Sequence, residues 1–229
     1  MRLRTLAYVV AAAVAARSMA GQDLRPGMAV LPFQDGGSYG QDQDDFAALE
    51  RGIPGMLVSE LSLQPDARLV DRRQTQRVFH QQNFAKNRYV NAATAAKIGR
   101  LVGARYVVFG TFVDLYGKFR VDARIVDVET SEIIHVATAS NDRENLFRIV
   151  QEIAQKVLAD LEFPPLSGEI EAARTGRNVP TDAVTFYGRA LWYHDQDEPS
   201  RAVEFYRRAL RVFPNYTEAQ EGLRGINPS

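Results

Sequence analysis

The chain has 229 residues, 28 basic and 28 acidic side chains, 45% hydrophobic residues and no cysteine. That length buries a core without cross-links, and the missing cysteine excludes disulfides, thiolate metal sites, a cysteine nucleophile and a lipid anchor on a mature amino-terminal cysteine. The even charge gives no basic excess of the kind that nucleic acid or an anionic membrane surface attracts.

Residues 1–20 read as a signal peptide. Arg2 and Arg4 precede an apolar run from Leu6 to Ala16, and Ser18-Met19-Ala20 offers small residues to a peptidase. The run is shorter than the ~20 residues of a spanning helix. Cleavage after Ala20 removes Arg2, Arg4 and Arg17 and leaves a slightly acidic, exported chain. No other run reaches spanning length.

Met28–Phe33 (MAVLPF) predicts a buried strand that ends in the turn-rich stretch QDGGSYGQDQDD. Phe46, Leu49, Ile53, Leu57 and Leu61 then recur at helical spacing, with Asp42, Asp44 and Asp45 where a helix amino terminus favours negative charge. Pro54 falls inside this pattern and predicts a kink or restart. Ala67–Asp71 reads as a second strand, followed by helices over Arg72 to about Gln82 and Ala92 to Val102, the latter stopped by Gly103.

Arg105–Val113 (RYVVFGTFV) is almost continuously apolar, which predicts a central strand covered on both faces. Strands over Lys118–Asp127 and Glu132–Ala139 follow, the first with Phe119, Val121, Ala123 and Ile125 inward and Arg120, Asp122 and Arg124 outward. A helix from about Arg143 to Leu161 follows, with Asn141 or Asp142 as its expected cap. Glu162–Pro180 carries adjacent prolines and no periodicity, and reads as a linker. The fold class is therefore α/β (α+β): a mixed sheet with a carboxy-terminal antiparallel meander covered by helices, then a small all-α hairpin. The expected divisions are a signal at 1–20, an α/β domain at 21–161, a linker at 162–180 and the hairpin at 181–229.

From Thr181 to Ile226 the chain resembles a tetratricopeptide repeat, through Phe186, Ala190, Tyr193, Ala202, Tyr206, Ala209 and Pro214. It departs from the pattern at Arg189, where leucine is usual, and at Asp197 and Pro199 in the turn. One repeat with a capping helix at Thr217–Ile226 falls short of the ~3 repeats that stand alone. It must lean on the first domain, a partner or another copy. The resemblance implies partner contact at Tyr187, Leu191 and His194, positions that line the concave face in relatives.

The segments VLPF, RLVDRRQTQRV, AAKIGRLVGARYVVFGTF and VDARIVDVETSEII resemble the curli-secretion-channel (CsgG) family and the domains similar to the amino-terminal domain of TolB, over about Met28 to Leu161. Ser131 stands where those families place a turn glycine. The resemblance implies a non-enzymatic periplasmic module, oligomeric, acting in envelope assembly, secretion or signalling.

His80, His135 and His194 share no metal spacing. Asp42, Asp44 and Asp45 lack the glycine and closing glutamate of a calcium loop, and Gly36–Gly40 (GGSYG) lacks the lysine of a phosphate loop. With no G-x-S-x-G either, no catalytic, cofactor or metal residue is expected. The resulting expectation is a periplasmic scaffold or adaptor, peripheral to the outer membrane, that self-associates through its α/β domain and docks a protein through the repeat. The alternative is a subunit of a curli-type secretion channel, because alternation over Val107–Ile134 suits a pore wall as well as a soluble core. The short connections Asp114–Lys118 (DLYGK) and Val128–Ser131 (VETS) favour the core.

Overall fold

The computed structural model describes residues 23–39, 43–81 and 90–226. The expected signal peptide, its cleavage after Ala20, Gly40 and Asp42 lie outside them, as do the side chains of Asp44 and His80.

β1 (Gly27–Asp35) carries the VLPF sequence. Pro32 has no N–H for a ladder bond, and the pairing of β1 shifts register between Val30 and Phe33. The shift puts Phe33 in the same core cluster as Met28 and Val30, with Leu31 on the other side. α1 (Gln43–Leu61) passes through Pro54 as one helix, without the restart that the proline allowed. Every residue from Gly52 to Leu57 is buried. Packing on both sides of the helix outweighs the single hydrogen bond that proline removes.

β2 shrinks to Arg68–Leu69, beside β1 and parallel to it. α2 (Arg72–Gln81) starts on Asp71, whose Oδ1 accepts from the Gln74 amide at 3.0 Å. α3 (Ala92–Val102) is capped by Asn91 and stopped by Gly103, whose φ of 68° is the left-handed conformation that glycine adopts without strain. β3 (Tyr106–Leu115) then enters the sheet next to β1, on the side away from β2.

Tyr116 and Gly117, with φ of 53° and 85°, form a two-residue turn of the kind that matches strand twist. They lead into β4 (Lys118–Asp127), paired with β3 along its whole length. The next turn keeps the left-handed residue, here Ser131 at φ 64°. It is held by Asp127 Oδ1, which accepts from the Glu129 amide at 2.8 Å. β5 (Glu132–Asp142) completes the order β2-β1-β3-β4-β5, with parallel pairing around β1 and an antiparallel meander from β3 onward.

The expected cap on the next helix is not formed. Asn141 and Asp142 are the last residues of β5, paired with Phe119 and Lys118. A 3-10 turn over Arg143–Asn145 then opens α4 (Leu146–Asp160), whose first turn has no side-chain cap. The strand takes these two residues because pairing along β4 continues to its end.

α1 and α4 cover one face of the sheet over Val108, Phe112, Phe119, Val121, Ala123 and Ile125. α2 and α3 cover Ala29, Leu31, Val107 and Phe109 on the other. The buried apolar residues of β3 and β4 therefore face the protein's own helices, whereas Ile133 and Ile134 at the start of β5 are exposed. Gly110 is required here: a Cβ would sit 2.2 Å from the Asp122 carbonyl oxygen and 2.5 Å from the Phe33 ring.

The segment expected as a linker holds a helix, α5 (Gly168–Gly176), capped by Ser167. Its buried residue is Arg174, which donates to the Gln151 carbonyl while Gln151 Nε2 donates to the Arg174 carbonyl at 2.6 Å. Periodicity missed the helix because a charged residue, not an apolar one, faces the protein. α6 (Thr181–Asp195), α7 (Pro199–Val212) and α8 (Thr217–Ile226) form the terminal hairpin and its cap. The core under α1 and α4 runs on without a break into Val179, Ala183, Val184, Ala190, Tyr206 and Tyr216. Of the three supports left open by the sequence, the hairpin leans on the α/β domain.

Candidate docking site

α1 and α6 cross with almost no side chain between them. A Cβ on Gly188 would lie 2.2 Å from the Ala48 carbonyl oxygen, and one on Gly52 would lie 3.2 Å from that of Val184. One turn further on, Gly55 makes room for Tyr187 and Leu191, whose atoms lie within 3.0 Å of the space its Cβ would fill. Tyr187 and Leu191 are consequently only 6% and 4% exposed. The Tyr187 ring also packs on Tyr216 at 5.2 Å and Tyr206 at 6.1 Å. Burial pushes its hydroxyl far above the usual phenol range and that of Tyr206 up to about 12.

Two carboxylates, Asp45 and Asp195, tie α1 to α6, and a third, Glu60, faces the arginines of α5 and of the turn after it. Asp45, near the start of α1, takes Arg189 at 2.7 Å and Arg143 at 3.7 Å. Asp195, the last residue of α6, takes both Arg72 nitrogens at 2.8 and 3.1 Å and Arg51 at 3.5 Å. Glu60, near the end of α1, faces Arg177 at 3.6 Å and Arg174 at 3.9 Å, while Arg177 also reaches Glu218 of α8. Arg189 is the residue that departs from the repeat pattern. Asp45 stands opposite its charge. The Arg72–Asp195 and Glu60–Arg177 pairs carried no local signal, since their members are far apart in sequence.

Burial raises the Glu60 carboxyl above its ordinary range, against the opposing pull of Arg177 and Arg174. A raised carboxyl favours the fold while protonated, so this contribution is present at low pH and lost as pH rises through the raised value. Glu60→Gln removes the titration. Urea midpoints from about pH 4.5 to pH 7 should therefore fall for the native chain relative to the variant. Parallel profiles would show that Glu60 ionises freely.

Tyr187, Leu191 and His194, singled out in the sequence, all line a recess of about 220 Å³, together with Gly55, Arg72, Tyr206 and Glu218. His194 alone of the three also lines a larger groove of about 770 Å³, between the start of α2 and the end of α6. Among the described residues, Asp71, Arg73, Gln76, Arg77, Asp195 and Asp197 also line that groove. Burial, then the nearby Arg72, hold the His194 imidazole below its ordinary value, so it is neutral at physiological pH. Asp195 is committed to Arg72 and Arg51. Arg73 and Arg77 are exposed on the α2 wall and Asp197 on the other. Such a rim suits polar contact with another protein rather than enclosure of a small apolar ligand.

The fold and this seat define a mixed α/β module with a helical hairpin fixed to one face. Residues 10–119 match the family model described as the curli production assembly/transport component CsgG. No curated protein matches the chain. Among solved structures, the chain is similar to the LpoB C-terminal domain from Escherichia coli, at 16% identity and a TM-score of 0.36, covering 57% of this chain and 93% of that one. It is similar to TolB from Acinetobacter baumannii at 15% identity and a TM-score of 0.41, over 61% of this chain but 29% of the other. The PelC dodecamer from Paraburkholderia phytofirmans gives 17% identity and a TM-score of 0.39, over 64% of this chain and 96% of that one. No helix among the described residues is long and apolar enough to cross a membrane.

Proposed function

We propose that the chain is an exported, non-enzymatic scaffold or adaptor of the cell envelope. It self-associates through its α/β part and docks a protein partner at the groove beside the hairpin. The observation that carries this reading is the match of residues 10–119 to a family of assembly and transport components. Two features support it: a signal-like amino-terminal sequence, and a helical hairpin that shares its core with the matched region. The docking contacts fall to His194, at the rim, with Arg73 and Arg77 opposite. Tyr187 and Leu191 shape the recess from below.

Deleting residues 181–229 is a poor test, because Ala183, Val184 and Tyr206 belong to the shared core and their removal exposes it. Charge reversal at the rim keeps that core. Periplasmic crosslinking mass spectrometry with the native chain and with Arg73→Glu/Arg77→Glu should lose one reproducible partner in the variant. Identical partner sets would overturn the docking role. Retention of a catalytic turnover by the purified chain would overturn the non-enzymatic reading.

A further inference from the structure

The small recess adjoins the docking groove, because Asp71, Arg73 and His194 line both. At about 220 Å³ it falls below the ~300–1,000 Å³ of small-molecule sites and suits a single inserted side chain. Part of its wall is bare backbone, at Gly55 of α1 and at Gly222 and Gly225 of α8. Tyr187 and Tyr206 supply its aromatic lining. The Tyr206 hydroxyl is buried and has no hydrogen-bond partner among the described residues. A buried hydroxyl is ordinarily paired. This one reaches the recess wall at Gly222, where a Cβ would lie 2.4 Å from the Tyr206 Cζ and 2.7 Å from its oxygen.

The charges around the recess decide the sign of what enters. Arg72, Arg73, Asp71, Glu218 and Glu221 line it among the described residues. Two of these are already neutralised, Arg72 by Asp195 at 2.8 Å and Glu218 by Arg177 at 2.8 Å. That leaves the carboxylates of Asp71 and Glu221 against the guanidinium of Arg73, all three exposed and without an ion pair among the described residues. The recess is therefore acidic on balance, while Arg73 and Arg77 keep the adjoining α2 wall basic. A cation set against phenol rings with carboxylates at the mouth is favoured, and an anion there would meet Asp71 and Glu221.

We propose that the recess is an anchor pocket for one basic side chain, arginine or lysine, of the protein partner, with Glu221 and Asp71 facing its charge and the Tyr206 hydroxyl accepting a hydrogen bond from it. This rests on the docking role proposed for the groove and names the residue type that its partner presents. The anchor is flanked in that partner by acidic residues, set opposite Arg73 and Arg77. A long side chain seated in a closed pocket is the kind of contact that carries most of an interface's binding energy.

Nuclear magnetic resonance of the isotope-labelled chain tests it, with N-acetyl-arginine amide as the probe and the N-acetyl amides of glutamate and norleucine as controls. The arginine probe should shift the amides of Gly55, Gly222 and Gly225 saturably, and the two controls should not. Tyr206→Phe removes only the unpaired hydroxyl; it should leave the thermal melt unchanged and weaken the probe about tenfold, as loss of a hydrogen bond to a charged group does. Glu221→Lys, at an exposed position, should abolish the response. In periplasmic crosslinking, Glu221→Lys should lose the same partner as Arg73→Glu/Arg77→Glu. No response to the arginine probe, or an equal response to the glutamate probe, overturns the basic anchor. A partner that is lost in Arg73→Glu/Arg77→Glu but kept in Glu221→Lys overturns the anchor and leaves docking at the groove. A partner kept in both overturns the docking role as well.

Discussion

Replacing Gly188 by valine should cost about 3 kcal/mol or more of folding stability, at the upper end of what overpacking causes. The obstacle to a new Cβ is the Ala48 carbonyl, with its oxygen at 2.2 Å and its carbon at 2.8 Å, and the Gly52 nitrogen lies at 3.2 Å. These are main-chain atoms of a helix packed on the sheet, so no rotamer change relieves the clash. Shortening Ala48 to glycine should therefore rescue nothing. Gly176→Ala, at a helical position with nothing within 4 Å of the new atom, serves as a control and should stay within about 0.5 kcal/mol of the native chain. Chemical denaturation measures both, and hydrogen exchange locates the effect: amides of α6 should lose protection in Gly188→Val before those of β3 and β4. Equal stability of the two variants would mean that the helices separate readily, and that the hairpin is loosely held.

The sequence alone does not reveal this crossing, for a reason that separates the legible part of the fold from the rest. Period and turn chemistry are local. They gave the continuously apolar β3, the alternating β4, the cap of α3 at Gly103 and the α4 stripe of Leu146, Ile149, Val150, Ile153 and Val157 in nearly their final bounds. They failed where a distant contact decides. Pro54 looks like a break until α6 and the sheet press α1 from both sides. Asn141 and Asp142 look like helix caps until β4 proves long enough to pair with them. α5 has no apolar stripe because Arg174 is its buried residue.

The candidate site divides in the same way. The resemblance to a repeat placed Tyr187, Leu191 and His194 along one line of α6, and the structure does bring them to one recess. What the resemblance carried no information about is α1, which packs against α6 through Ala48, Gly52 and Gly55. Ala48, Gly52 and Gly55 were visible as small residues in a helix, but their partner was not. Arg189 was the one local clue, since a charge in place of an apolar residue needs a counter-charge nearby, and Asp45 supplies it.

Asp195 concentrates this dependence in one side chain, and Asp195→Ala should destabilise the fold by about 3–5 kcal/mol, the range for removing one member of a buried ion pair. Its carboxylate is 6% exposed and accepts from both Arg72 terminal nitrogens, a two-point geometry that fixes α2 to the end of α6. Arg51 of α1 approaches the same carboxylate at 3.5 Å, and its Nε has no other hydrogen-bond partner. Burial lowers the affinity of Arg51 for its proton, and Asp195 is the first group that offsets it. Alanine would leave two guanidinium groups, each about one-fifth exposed, without their anion. Asp195→Asn keeps an acceptor of the same shape and should lose less. Combining Asp195→Ala with Arg72→Ala should cost less than the two losses added, because the second change removes a charge that the first had stranded. Denaturation at two ionic strengths completes the test: a buried pair responds weakly to salt, whereas an exposed one is screened away. Additive losses, or a loss below about 1 kcal/mol, would place the attachment of the hairpin in its packing alone.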